Sequence, residues 1–153
     1  MKALVQRTLS AQVSTNTALT GSIGRGLLVF LGVESHDACE DLDYLVHKIV
    51  NLRVFADAED KMNLSIKAIG GSILLVSQFT LCASTRKGNR PSFSGAATPV
   101  KGQEFYLNAI EKFRSNDIIV ETGEFGANME VSLINDGPVT IFLDSKDRFL
   151  PRK

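Results

Sequence analysis

The segment that most constrains this chain is Ser72-Ile73-Leu74-Leu75-Val76-Ser77-Gln78-Phe79, introduced by Gly70-Gly71. Its aliphatic and β-branched residues follow one another with almost no polar alternation, which is the pattern of a strand covered on both faces. A strand of that kind belongs in the middle of a sheet, so the run predicts a central strand.

The flanking sequence predicts what surrounds it. Residues 2–7 and 10–15 read as two short strands, and Gly21, Gly24 and Gly26 punctuate a turn before the apolar run Leu27-Leu28-Val29-Phe30-Leu31. Together they predict an opening β-meander. Between Asp37 and about Arg53, Leu42, Leu45, Val46 and Ile49 recur at helical spacing, with Asp37, Glu40, Asp41 and Asp43 toward the end that favours negative charge. That is the first helix, and His47 falls off its apolar stripe, toward solvent. Thr98-Pro99 supplies an N-cap and a first-turn proline for a second helix, whose buried stripe is Tyr106, Ala109, Ile110 and Phe113. Met129, Val131 and Leu133 then alternate with Glu130 and Ser132. Asn135-Asp136-Gly137-Pro138 reads as a turn, and Val139-Thr140-Ile141-Phe142-Leu143 resumes the strand pattern.

Strands at both ends and two helices predict an α+β fold. Neither a linker nor an internal repeat divides residues 1–153, and a chain of this length buries roughly 70% of its unfolded surface in one domain. No apolar stretch approaches the ~20 residues of a membrane span, and no signal-peptide core follows Met1, so the expectation is a soluble, cytoplasmic protein.

Several chemistries lack their residues. His36 and His47 form no metal-binding pair, and Cys39 and Cys82 stand far apart outside any CxxC spacing, so no metal site and no cofactor is expected. Neither a GxSxG elbow nor a Walker loop is present, and Gly21-Ser22-Ile23-Gly24-Arg25-Gly26 imitates a phosphate loop only superficially. The formal net charge is zero, so a nucleic-acid partner would have to meet a local basic patch. The loop between Ala83 and Ser92 contains Arg86, Lys87 and Arg90, and its composition suits phosphate contact and a solvated loop equally well. What remains is the polar cluster Ser77-Gln78-Phe79-Thr80 at the end of the central strand, read from composition either as strand-terminating hydrogen-bonders or as a site.

Four ordered segments decide between those readings: Ser77-Gln78-Phe79-Thr80-Leu81, Gly88-Asn89-Arg90-Pro91-Ser92-Phe93, Gly123-Glu124-Phe125-Gly126-Ala127-Asn128-Met129 and Asn135-Asp136-Gly137-Pro138-Val139-Thr140. With them, the whole chain resembles the D-aminoacyl-tRNA deacylase family, also called D-tyrosyl-tRNA deacylase. The resemblance implies a curved, barrel-like sheet and a homodimer with active sites at the subunit interface. It implies hydrolysis of the ester of D-aminoacyl-tRNA, and of glycyl-tRNA mischarged on alanine tRNA, with the L-forms spared. Ser77, Gln78, Phe79 and Thr80 are then the catalytic segment. Gly137 and Pro138 are a cis pair that guards the other subunit's site, and Arg7 supports them. Met129, Arg86 and Arg90 are expected to contact substrate. Two routes stay open for the chemical step. Thr80 acts as nucleophile, although no base lies nearby in sequence; or main-chain donors polarise the ester while the substrate's own 2′-hydroxyl manages the proton. A small esterase using Ser77 or Thr80, and a nucleic-acid-binding dimer without activity, are the competing functions.

Overall fold

The computed structural model describes residues 1–16 and 18–151. Its elements run β1 (Lys2–Thr15), β2 (Leu19–Ile23), β3 (Gly26–Gly32), α1 (Cys39–Asn51), β4 (Phe55–Ala56), β5 (Met62–Leu64), β6 (Ser72–Ser77), α2 (Pro99–Arg114), β7 (Ile119–Thr122) and β8 (Met129–Asp144). Among the described residues no helix is long and apolar enough to cross a membrane.

β1 is the hub because its 14 residues serve two edges at once. On one edge it pairs antiparallel with β3 through its first half and with β2 through its second, while β8 runs antiparallel along the whole of the other. β3 continues parallel to β6, and β6 parallel to β7. The resulting mixed sheet has the order β2-β1-β3-β6-β7 with β8 on the far side of β1, and it curls until β2 returns against β7. A Cβ on Gly21 would stand 2.7 Å from the Thr122 carbonyl oxygen, so the bare glycine permits this near-closure of the barrel. β4 and β5 form a separate small hairpin.

The central strand is as its pattern predicts. Ile73 and Leu75 point to the outer face, where they meet Leu45 and Ile49 of α1 and Phe105 and Phe113 of α2. Leu74 and Val76 point into the curl with Leu28, Ala11 and Val13. Burial on both sides explains the missing alternation, each such side chain contributing about 1.5–3 kcal/mol. The α2 start is also as expected, the Thr98 hydroxyl accepting from the Lys101 N–H at 3.4 Å with Pro99 next in line.

Other expectations are corrected. Residues 2–7 and 10–15 belong to one strand whose register shifts between Gln6 and Ser10, and the opening is not a meander because β3 pairs with β1 instead of β2. Helix α1 starts at Cys39, two residues later than expected, since Asp37 is engaged with the α-ammonium of Met1 at 2.6 Å. β6 ends at Ser77. The Gln78 N–H still bonds Leu31 at 2.8 Å, but its ψ of 76° turns the chain into a short 3-10 helix, Phe79–Cys82. The segments around Asn135-Asp136-Gly137-Pro138 are not two strands about a turn. They are one strand, β8, because both halves pair with β1 and the corner is a bulge within the ladder.

Candidate active site

Where β6 gives way to the 3-10 turn, a cavity of about 530 Å³ opens. Ser77, Gln78 and Phe79 form one wall, Thr98 and Tyr106 of the α2 region another, and Met129 at the start of β8 a third. The leading N–H groups of a 3-10 turn have no acceptor within it, so those of Phe79 and Thr80 are left without a partner in the turn; Phe79 lines the cavity, whereas Thr80 is not part of its wall. Gln78 donates its side-chain N–H to Thr80 Oγ1, which ties the two side chains together and occupies the threonine oxygen as an acceptor.

Among the described residues no histidine lines the cavity or bonds the Thr80 hydroxyl. His36 faces Glu34 at 3.8 Å and His47 bonds within α1 to Asn51. Tyr106 donates its hydroxyl to the Leu75 carbonyl at 2.7 Å, and burial pushes its pKa up to about 12, so it lines the cavity as a neutral structural group. Cys82 lies behind the turn with its thiol on the Val33 carbonyl at 3.5 Å, and burial raises its pKa, which removes it as a thiolate. Carbonyl polarisation by main-chain donors is the chemistry this wall is equipped for.

The second predicted element lies elsewhere in the same chain. Gly137 and Pro138, joined by a cis peptide bond, are exposed and absent from the cavity wall. Arg7 holds them from one side, its Nε donating to the Asp136 carbonyl at 3.0 Å and pairing with the Asp136 carboxylate at 3.1 Å, while its Nη1 donates to the Val54 carbonyl. On the other side, Thr140 Oγ1 accepts from Asn135 Nδ2 at 2.8 Å and from Gln6 Nε2 at 3.2 Å, and Asn135 Oδ1 accepts the Val139 N–H at 2.9 Å. Arg7 is legible by resemblance; Gln6 carries no signal in the sequence beyond its place beside Arg7 on a strand.

Arg86 and Arg90 sit on an exposed hairpin closed by reciprocal main-chain bonds between Ser84 and Ser92 at 2.8 and 2.9 Å. Among the described residues neither arginine nor Lys87 enters an ion pair. The hairpin is fastened to the site by Phe93, whose ring meets that of Phe79 edge-on at 5.1 Å.

One cluster of ligand-type side chains was not anticipated: Glu34, His36 and Asp37 offer atoms within 4.8 Å of one another. Its two carboxylates are already matched by cations of the chain, with the Met1 ammonium on Asp37 at 2.6 Å and Lys146 and Lys2 on Glu34 at 3.2 and 3.4 Å. Burial alone would raise the Glu34 pKa, but Lys146, Lys2 and the ammonium together hold it below the ordinary value.

Residues 4–144 match the family described as D-Tyr-tRNA(Tyr) deacylase. Among solved structures, the chain is similar to one described as c-Myc DNA Unwinding Element Binding Protein, with 40% identity and a TM-score of 0.89 over 94% of this chain and 98% of that one. It also shares its fold with a structure described as a "probable eukaryotic D-amino acid tRNA deacylase", at 18% identity, a TM-score of 0.79, and 94% and 98% coverage.

Proposed function

This chain belongs to the D-Tyr-tRNA(Tyr) deacylase family, and on that footing we propose how its residues hydrolyse D-aminoacyl-tRNA while sparing the L-form. It is a hydrolase of the aminoacyl ester bond. The observation that carries our reading is the strand end at Ser77, Gln78 and Phe79, which lines a cavity that no histidine or thiolate serves, with Thr80 next in the turn.

The ester carbonyl oxygen sits against the Phe79 and Thr80 N–H groups, with the Gln78 amide and Ser77 hydroxyl beside them. As water adds to the carbonyl carbon, negative charge develops on that oxygen, and each preorganised donor contributes about 2.7–4 kcal/mol. The C–O3′ bond then breaks, and the neighbouring 2′-hydroxyl of the terminal ribose relays a proton from the attacking water to the departing 3′-oxygen. Thr80 Oγ1 accepts from Gln78, and in this reading the threonine organises the turn and is not the nucleophile.

The enzyme works as a homodimer in which Gly137 and Pro138 complete the partner's cavity. Within one chain the corner and the cavity do not meet. β8 pairs with no strand along its outer edge among the described residues, and an apolar row, Phe142, Leu4, Phe30 and Val76, crosses the sheet from that edge to the cavity wall. Phe142 is 53% exposed, which suits a face covered by a second copy. The carbonyls of the corner then exclude any substituent on one side of the substrate Cα. A main-chain wall judges configuration without reading side-chain identity, whereas a side-chain pocket separates close analogues only about 10- to 200-fold. Many D-residues pass, and glycyl-tRNA passes because glycine has nothing to clash.

Met129 contacts the terminal adenosine from the cavity wall, and Arg86 and Arg90 meet backbone phosphates. Arg86→Glu with Arg90→Glu is expected to raise KM for full-length D-aminoacyl-tRNA. Its salt dependence should flatten as well, by about one unit of log–log slope for each phosphate no longer neutralised. D-aminoacyl-adenosine, which lacks those phosphates, is expected to turn over as with the unaltered enzyme. For the function itself, release of D-tyrosine from tRNA is compared with cleavage of a nitrophenyl ester. Efficient nitrophenyl ester cleavage with tRNA left acylated would mark a generic esterase, and tRNA retention without release a binding protein.

A further inference from the structure

The corner at Gly137 is held in an unusual way. β1 pairs Gln6 with Thr140 and Thr8 with Asn135, so the single residue Arg7 stands opposite residues 136–139 of β8. Four residues against one leave a loop that the ladder cannot aim by itself. Its direction depends on side chains, and adjacent strand residues face opposite sides. Arg7 reaches the loop from one face, through Asp136. Gln6 reaches it from the other, through Thr140, whose hydroxyl oxygen also takes the Asn135 amide. Asn135 in turn spans the corner: its carbonyl oxygen must face the Val139 N–H, which fixes its amide toward Thr140. Among the described residues, Gln6 is the side-chain tie from β1 to this second face.

We infer that Gln6, acting through Thr140 and Asn135, is a positioning residue that sets the direction of the Gly137 and Pro138 carbonyls and thereby the rejection of L-aminoacyl groups. The inference rests on the reading of that corner as the stereochemical filter. With Arg7 alone the corner is gripped on one face and can recede from the substrate; with both grips it stands as a wall. Gln6 touches neither the ester nor the amino acid. Its loss therefore raises L-turnover more than it lowers D-turnover.

The test measures kcat/KM for D- and L-tyrosyl-tRNA, together with melting temperature, in Gln6→Leu, Thr140→Val, Thr140→Ser and Gly137→Ala. Gln6→Leu removes the tie at similar volume and is expected to lower the D-to-L ratio about five- to tenfold, the effect of removing one hydrogen bond; Thr140→Val, which also removes the Asn135 bond to the same hydroxyl, is expected to lower it at least as much. Thr140→Ser keeps the hydroxyl and is expected to keep the ratio. Gly137→Ala tests the filter itself: Gly137 has φ of +128°, and an added Cβ would lie 2.8 Å from Arg7 Nη2, so the corner must shift. A ratio altered by Gly137→Ala but not by Gln6→Leu or Thr140→Val overturns the role of Gln6. A role confined to stability would lower both activities with the melting temperature and leave the ratio alone, which also overturns it. A ratio untouched even by Gly137→Ala overturns the filter reading and the inference with it. Should Gln6→Leu fail to fold, Gln6→Ala takes its place, with Thr140→Ser as the control that keeps the hydroxyl.

Discussion

Replacing the 2′-hydroxyl of the terminal adenosine with hydrogen is expected to slow deacylation by about 10²- to 10⁴-fold, the contribution of one positioned proton-transfer group. Thr80→Ala is expected to retain activity to within about tenfold, since it removes one neutral hydrogen bond and keeps the main-chain N–H. The contrast follows from the geometry. The Thr80 hydroxyl oxygen is already the acceptor for Gln78, and the two histidines are occupied at Glu34 and within α1. A threonine nucleophile needs a base to take its proton, and among the described residues neither histidine bonds its hydroxyl. Binding of the deoxy substrate, measured alongside turnover, separates a chemical defect from weakened affinity. The reverse pattern, with the deoxy substrate hydrolysed normally and Thr80→Ala inert, would establish Thr80 as nucleophile.

Asp37→Ala is expected to cost about 3–5 kcal/mol of folding stability, read as a fall in the urea midpoint at unaltered slope. The Asp37 carboxylate receives the Met1 ammonium at 2.6 Å and the Glu34 N–H at 2.6 Å, and both ends of the ion pair are almost fully buried. Removing the carboxylate leaves a buried cation beside a Ser145 hydroxyl at 2.7 Å, with Glu34 3.6 Å away. The same region is expected to make folding sensitive to acid. Burial would raise the Glu34 and Asp41 pKa values, but Lys146 and Lys2 around Glu34, and the Ala38 N–H, Ser145 and Arg148 around Asp41, hold both below their ordinary values. Folding therefore favours the ionised forms. Their stabilisation is fully present above the unfolded values near about pH 4 and is lost as pH falls through the lower folded ones. Glu34→Gln is expected to flatten stability against pH below about pH 4 and to leave its slope near neutrality unchanged.

Much of this architecture is written locally. β6 is legible because every residue between Ile73 and Val76 is buried on one face or the other, and α2 because Thr98-Pro99 is a complete start signal. The errors concern pairing. The interruption at Arg7, Thr8 and Leu9 looks like a break between strands, yet it is the register shift of one long strand against β8. Asn135-Asp136-Gly137-Pro138 has the composition of a turn, and only the pairing of both flanks with β1 makes it a bulge. Asp37 looks like a helix-start acid, but its partner is the ammonium 36 residues away. The same limit applies to the site. Ser77, Gln78, Phe79 and Thr80 are recognisable as one ordered motif and Gly137-Pro138 as another, whereas their separation within a single chain belongs to the folded sheet. Gln6 is an ordinary polar strand residue until its register opposite Thr140 is known.

Removal of D-amino acids from tRNA, with rejection of their mirror images, is measured most directly as the release of tyrosine from D-tyrosyl-tRNA and L-tyrosyl-tRNA. Both substrates are prepared on the same tRNA and assayed at one enzyme concentration and one salt concentration. Hydrolysis of the D-form with the L-form remaining at the uncatalysed rate is the expected result. Equal hydrolysis of the two, or hydrolysis of neither, would contradict it.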